Sequence, residues 1–164
     1  MDRASVVAIF IAPDAEARMQ SIHEVRAESG KGLDGDRYHA GQGTYSRDKP
    51  HQPKRHVTLI EEEAIAAVGR DYRMRIDAIE TRRNILTRGV ALNHLVGREF
   101  RVGDALLRGI TLCEPCNHLD ALTGREVSPA FVHRGGLNAE VLEGGKVRVG
   151  DSIEPAATAG RALA

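Results

Sequence analysis

The sequence predicts a mainly β domain with a few short helices, its strands closed into a barrel. Three observations carry this expectation: short runs of β-branched and apolar residues recur along the chain, glycine-rich turns separate them, and helical spacing is confined to two stretches. At 164 residues the chain is about one domain long and can bury a substantial core.

Taken in order, the first strand is "SVVAIFIA". Its apolar run, Val6 to Ala12, is too short to span a bilayer and lacks the basic start and small-residue cleavage site of an export signal. "SIHEVRA", "RHVTLI", "NILTR", "EFRVG", "ALLRGITL" and "KVRVGDSIE" follow as further strand candidates. The best helix is "EEEAIAAVG", with Glu61 to Glu63 at the positive end of its dipole, Ile65 and Val68 on one face and Gly69 as the stop. A shorter helix is expected over "VALNHLVG", ending at Gly97.

"RVGD" occurs at Arg101 to Asp104 and again at Arg148 to Asp151, as a Gly-Asp turn between paired strands would require, although recurrence of a good turn accounts for it equally well. The stretch from His39 to Arg55 is polar, carries Gly and Pro and has no period, which predicts a flexible rim. From Pro155 the residues are those of a frayed end. The expected organisation is one domain over 1–154 and a flexible tail over 155–164.

Basic and acidic residues balance at 23 each, so nothing attracts the chain in general to nucleic acid or to a membrane, and recognition must be local. Among the basic residues all but Lys31, Lys49, Lys54 and Lys146 are arginine. A guanidinium fork binds phosphate and carboxylate bidentately, although a GC-rich genome produces the same bias. Without an export signal the expected location is the cytoplasm, where thiols stay reduced and a close cysteine pair is reactive or metal-binding more often than structural.

Both cysteines lie in "LCEPCNHLDALTG". Zinc needs four ligands, and Cys113 and Cys116 would have to enlist His118 and His133. A thioredoxin-like redox pair needs a βαβ setting that the rest of the chain lacks, and inert buried thiols are common. The remaining reading is a single nucleophile or soft-metal ligand at a strand-to-helix junction. Pro115 fixes the backbone ahead of Cys116, and a thiolate near a helix start has a lowered pKa, so Cys116 is the better candidate and Cys113 the neighbour.

Two further motifs present anion-binding groups. "KGLDGDRYHAG" sets Asp36, Arg37 and His39 among glycines, and "HRGGLNAEVLEGG" puts His133 and Arg134 before Gly135 and Gly136, where a ligand or another backbone can come close. In "TRRNIL", read as a strand, Arg82 and Asn84 face one side and Arg83 the other. Arginine, histidine and backbone donors with one thiol suit a phosphate-bearing cofactor of a thiophilic metal.

In their order, "GLDGDRYHAG", "RRNILTRGVALNHLVGREFRVGDALL", "LCEPCNHLDALTG" and "HRGGLNAEVLEGGKVRVGD" resemble the MOSC domain, named for the carboxy-terminal domain of molybdenum cofactor sulfurases. The resemblance covers most of the chain between Lys31 and Asp151 and implies a closed β-barrel of the pyruvate-kinase type. It also implies a molybdenum-pterin cofactor and an essential cysteine, which maps onto Cys116. In relatives that include the mitochondrial amidoxime reducing component, that cysteine is a thiolate ligand to molybdenum and N-hydroxylated compounds are reduced. In the sulfurases the domain is linked instead to cofactor binding and sulfur transfer, with the cysteine as a persulfide site.

Cys116 is the expected metal ligand, and His118 or His133 is the expected proton donor, histidine being the side chain that titrates nearest neutral pH. Asp36, Arg37, His39, Arg83, Asn84, Arg134, Gly135 and Gly136 are expected to hold the cofactor. The desulfurase domain of the sulfurases and the amino-terminal region of the amidoxime reducers have no counterpart here, which reads as a stand-alone short form, a monomer or homodimer. The chain carries no iron–sulfur, haem or flavin motif, so a partner protein is expected to donate electrons or sulfur.

Overall fold

The structure is a computed structural model that describes residues 3–47, 49–115 and 117–156. In chain order its elements are β1 (Ser5–Ile11), β2 (Gln20–Ile22), β3 (Glu24–Glu28), β4 (Gly32–Leu33), β5 (Val57–Glu61), α1 (Glu62–Tyr72), β6 (Ile85–Arg88), β7 (Glu99–Val102), β8 (Ala105–Leu112), α2 (Asn117–Thr123), α3 (Ser128–Phe131), β9 (Leu137–Glu143), β10 (Gly145–Arg148) and β11 (Ile153–Pro155). Single 3₁₀ turns cover Pro53–Arg55, Ala78–Thr81 and Leu92–Leu95.

Alternation along β1, β5 and β6 sets the architecture. Ile9, Leu59 and Ile85 enter one core, and their neighbours Phe10, Ile60 and Leu86 enter another on the opposite face. Strands buried on both faces read as unbroken apolar runs, which is why "SVVAIFIA" shows no polar alternation. The first core lies between two sheets, where Val25, Ala27, Leu33 and Val147 of the three-stranded sheet β10-β3-β4 meet Phe100, Leu107 and Val141 of the eight-stranded one. The second is closed by helices, through Val68 of α1, Leu119 of α2 and Phe131 of α3.

The larger sheet runs β11-β7-β8-β9-β5-β6-β1-β2, antiparallel except for the parallel pair β5 and β6. It is open, so the mainly β prediction stands while the closed pyruvate-kinase-type barrel is corrected. Closure needs a continuous ladder between the terminal strands. Here β2 takes the edge of β1 at Ile9 to Ile11, and the rest of β1 meets the carboxy-terminal segment at one isolated bridge, Ser5 to Ser152. Three hydrogen bonds accompany that bridge, from Val6 N–H to Asp151 O, from Gly150 N–H to Val6 O and from Ile153 N–H to Ala4 O, and the pairing stops where the chain turns at Gly150.

Smaller differences have local causes. α1 continues through Gly69 to Tyr72 and stops at Arg73, in the left-handed region at φ 50°. Gly69 serves close approach, since a Cβ there would stand 3.2 Å from Met74 O. The first RVGD turn joins the paired strands β7 and β8, whereas the second joins β10 and β11, which sit in different sheets. Pro155 ends β11 and Ala156 N–H donates to Glu99 O, while the remainder of the expected tail, 157–164, lies outside the described residues. No helix among the described residues is long and apolar enough to cross a membrane.

His56 ties the 39–55 segment to the sheet. It is buried, its Nδ1 accepts Val141 N–H at 3.1 Å, and the ring proton therefore sits on Nε2, which donates to His51 O at 3.1 Å. Burial holds its pKa below the ordinary histidine value. The unfolded chain then binds the proton more readily, so this contribution to stability is complete above about pH 6.5 and is lost as pH falls below it. Denaturant midpoints measured across that range are expected to fall on the acid side in the wild type and to fall less in His56→Gln, which cannot take up the proton.

Candidate functional site

Three adjacent strands of the open sheet place polar side chains side by side. Register pairs Thr58 of β5 with Asn138 of β9, and Asn138 with Thr111 of β8. All three line a cavity of about 300 Å³. Tyr38, Thr44 and Tyr45, from the connection after β4, form one wall with Lys54 and Arg55 of the 3₁₀ turn Pro53–Arg55. Arg82 and Arg83, ahead of β6, form another, and Cys113, Glu114 and α2 residues Leu119 and Leu122 complete the lining.

The cavity is electropositive: Arg37, Lys54, Arg55, Arg82 and Arg83 face a single carboxylate, Glu114. Most of these guanidinium donors are already committed. Arg83 donates to Gly135 O (2.7 Å), Cys113 O (3.1 Å) and Thr81 O (3.3 Å), pinning the cysteine segment to the glycine pair. Arg82, at φ 61°, donates to Ala15 O and Ala17 O. Arg37 pairs with the fully buried Asp36 at 2.9 Å and donates to Arg82 O at 3.2 Å. Burial, and next the like charge of Arg37, pull the Arg82 guanidinium below its ordinary pKa, while burial pushes the Tyr38 phenol up.

The expected site residues separate into two groups. Arg37 and Arg83 line the cavity, with Asp36 directly behind Arg37 and Gly135 bonded to Arg83. His133 stands just outside: its backbone N–H donates to Glu114 and its ring Nδ1 lies 3.2 Å from that carboxylate. Asn84 is buried, joining Thr58 to Phe10 O, with its side-chain oxygen accepting Thr58 N–H. Gly136, at φ 113°, packs against the Leu59 carbonyl.

His39 pairs with Glu28 at 2.6 Å and is not among the cavity residues; that hydrogen bond holds the Glu28 carboxyl below its usual range. Arg134 turns away toward α1, donating to Ala130 O and pairing with Asp71 at 3.0 Å. Cys116 lies outside the described residues, and His118 is the second residue of α2 with its side chain outside what is described. The segment that contains Cys116 nevertheless lines the cavity on both sides of it, through Cys113 and Glu114 before and Leu119 after.

Sequence reasoning passed over Lys54, Arg55, Tyr45, Thr58, Thr111 and Asn138. Only Asn138 carried a signal, as an amide inside the strand run "GLNAEVL". The reading of Arg82 to Asn84 as alternating strand positions also changes. β6 starts at Ile85, and the left-handed turn at Arg82 lets both arginines reach the same cavity.

Among solved structures the chain is similar to the YuaD protein from Bacillus subtilis, with a TM-score of 0.75 and 19% identity over 93% of this chain and 95% of that one. YiiM from Geobacillus stearothermophilus gives a TM-score of 0.71 and 14% identity over 93% of this chain and 75% of the other. YiiM from Escherichia coli gives 0.68 and 18% over 98% and 73%. Identities this low show the shared fold. No curated protein sequence matches the chain. The MOSC domain family model matches residues 34–154, a span that takes in the first glycine motif from Asp34 on, the arginine pair, the two cysteines and the second glycine motif, and the chain belongs to the MOSC domain family.

Proposed function

We propose that the chain binds molybdenum cofactor in this cavity and, acting in the cytoplasm, reduces small N-oxygenated compounds, with Cys116 as the thiolate ligand to the metal. The observation that carries the reading is one of convergence: five basic side chains surround a cavity whose lining flanks Cys116 on both sides. A phosphorylated pterin is an anion with a flat, hydrogen-bonding ring, and a pocket with this excess of positive charge and polar strand residues fits it.

When bound, the cofactor supplies a two-electron redox centre. The chain's own residues do the rest. Arg37, Arg82 and Arg83 set a positive field from fixed positions, since each is clamped by backbone oxygens or by Asp36. Leu119 and Leu122 exclude water from one side. His133, held by Glu114 at the cavity edge, and His118 are the proton donors of the reading. The overall change takes R–NHOH, two electrons and two protons to R–NH₂ and water, with the electrons delivered by a partner reductant protein.

One observation favours a second reading, a persulfide carrier or cofactor-transfer module. Cys113, buried in the same lining, puts a second thiol three positions before Cys116. Both readings meet one experiment, on wild type and Cys116→Ser from a host that makes molybdenum cofactor. Stoichiometric molybdenum and fluorescent pterin in wild type are expected, with the metal lost in Cys116→Ser along with N-hydroxy substrate reduction by a chemical reductant. Wild type free of both would overturn the reductase, and cyanide-labile sulfur that depends on Cys116 would establish the carrier.

A further inference from the structure

Two residues of the cavity lining each carry a polar atom buried without a partner among the described residues: Arg55 at Nε, a donor, and Asn138 at Oδ1, an acceptor. Burial of a hydrogen-bonding atom with nothing to bond carries a desolvation penalty that native structures rarely leave uncompensated. That both orphans belong to one cavity points to a ligand that supplies the missing partners.

Their chemistry differs, and each is fixed by its surroundings. Arg55 is the cavity arginine whose Nε is buried without a partner among the described residues; Arg37, Arg82 and Arg83 spend donors on Asp36 and on backbone oxygens. Its guanidinium carbon sits 4.1 Å from the centroid of the Tyr45 ring, which holds the fork's plane. Lys54 adds a second charge beside it. A planar fork with a free Nε–H and a neighbouring ammonium takes an oxyanion.

Asn138, 94% buried by its 6% exposure, uses its amide nitrogen on Thr111 Oγ1 (3.1 Å) and Leu112 O (3.5 Å). Because Leu112 O can only accept, the amide cannot be turned over, and the atom left unpaired is the acceptor. The group opposite it must therefore carry an N–H or O–H.

We infer that the cavity reads its ligand at two points, a phosphate-type oxyanion at Arg55 with Lys54 and a ring N–H donor at Asn138 Oδ1. The inference rests on the reading of this cavity as the cofactor site and assigns the contacts to Arg55 and Asn138, neither of which was among the expected site residues. Arg37, Arg82 and Arg83 then act as a charged frame, and Arg55 makes the direct contact. The 3₁₀ turn that carries Arg55 packs against β8 and β9, so the two contact points are held on one rigid body.

The test uses the full chain produced without cofactor and two separate probes, inorganic phosphate and an unphosphorylated pterin, each titrated by calorimetry. Arg55→Gln is expected to weaken phosphate by about tenfold or more and leave pterin unchanged, and Asn138→Leu to do the reverse. Arg55→Lys, which keeps charge but has no Nε–H, is expected to resemble Arg55→Gln. Because Asn138→Leu also removes the bonds to Thr111 and Leu112, the wild-type Asn138 side-chain amide signal is followed as well, and it is expected to shift on adding pterin.

Equal phosphate affinity in wild type and Arg55→Gln, no measurable binding of either probe, or an Asn138 signal unmoved by pterin overturns the inference. The outcome is separable from that of the proposed function. Cofactor content unaffected by Arg55→Gln in cofactor-loaded protein sinks this assignment and leaves the reductase standing, whereas probe binding as expected in a wild type that never acquires molybdenum does the opposite.

Discussion

Gly136→Ala is expected to destabilise the domain by about 3 kcal/mol or more, through backbone strain together with overpacking. The residue sits at φ 113°, where an L side chain is strained, and its Cβ would collide with the carbonyl oxygen of Leu59. Neither side can give way easily. Leu59 is in the middle of β5, paired with Leu137 on one side and Ile85 on the other, and Gly136 O accepts Cys113 N–H at 2.7 Å. The check is a denaturant melt against Gly30→Ala, also at positive φ (76°) but with nothing within 4 Å of the added carbon. That control is expected to cost about 1–2 kcal/mol, the conformational part alone. A similar loss in both variants would show that close packing at Gly136 contributes nothing.

The second large effect is Asp36→Ala, expected to cost about 3–5 kcal/mol because it strands a buried guanidinium. Asp36 is fully buried, and its carboxylate accepts Arg37 at 2.9 Å, Ala12 N–H at 3.1 Å and Tyr38 N–H at 3.3 Å. Arg37 is nearly as buried, so its guanidinium loses its counter-charge where bulk solvent does not surround it. The double variant Asp36→Ala, Arg37→Met is expected to recover a large part of the loss, since an apolar side chain in that place needs no counter-charge. Urea midpoints of the two singles and the double form the cycle that decides it; an additive double variant would show that the pair is not coupled.

These two residues also show how the sequence informs the site. The glycines of "GLDGDRYHAG" and "HRGGLNAEVL" signalled tight backbone, and the structure uses that freedom at Gly136 to bring β9 against β5. Whether such a glycine faces a ligand or a carbonyl depends on the strand beside it, which lies far away in the chain. Arg134 illustrates the same limit, because its partner Asp71 is on a helix whose approach no local pattern announces. Lys54 and Arg55 were silent for a different reason: they close a stretch without period, where neither propensity nor alternation points a side chain anywhere.

Strands were legible because apolar runs bury both faces, and this holds for β1, β5 and β6. Closure of the sheet was not, since it turns on what the last few residues present to Ser5. A turn at Gly150 and Asp151 meets β1 where a barrel would need a strand.

The strand order has a consequence for the timing of synthesis. The cavity draws on Arg37, Arg55, Arg83, Cys113 and Asn138, and the last of these lies on β9, which bridges β8 and β5 in the middle of the sheet. A nascent fragment ending before β9 can join Thr58 to the arginine wall through β5 and β6, but it lacks Asn138 and the strand through which β5 and β8 meet. Contacts between such distant positions form late in folding. The complete cavity is therefore available to a ligand only after β9 has been made and placed between β8 and β5.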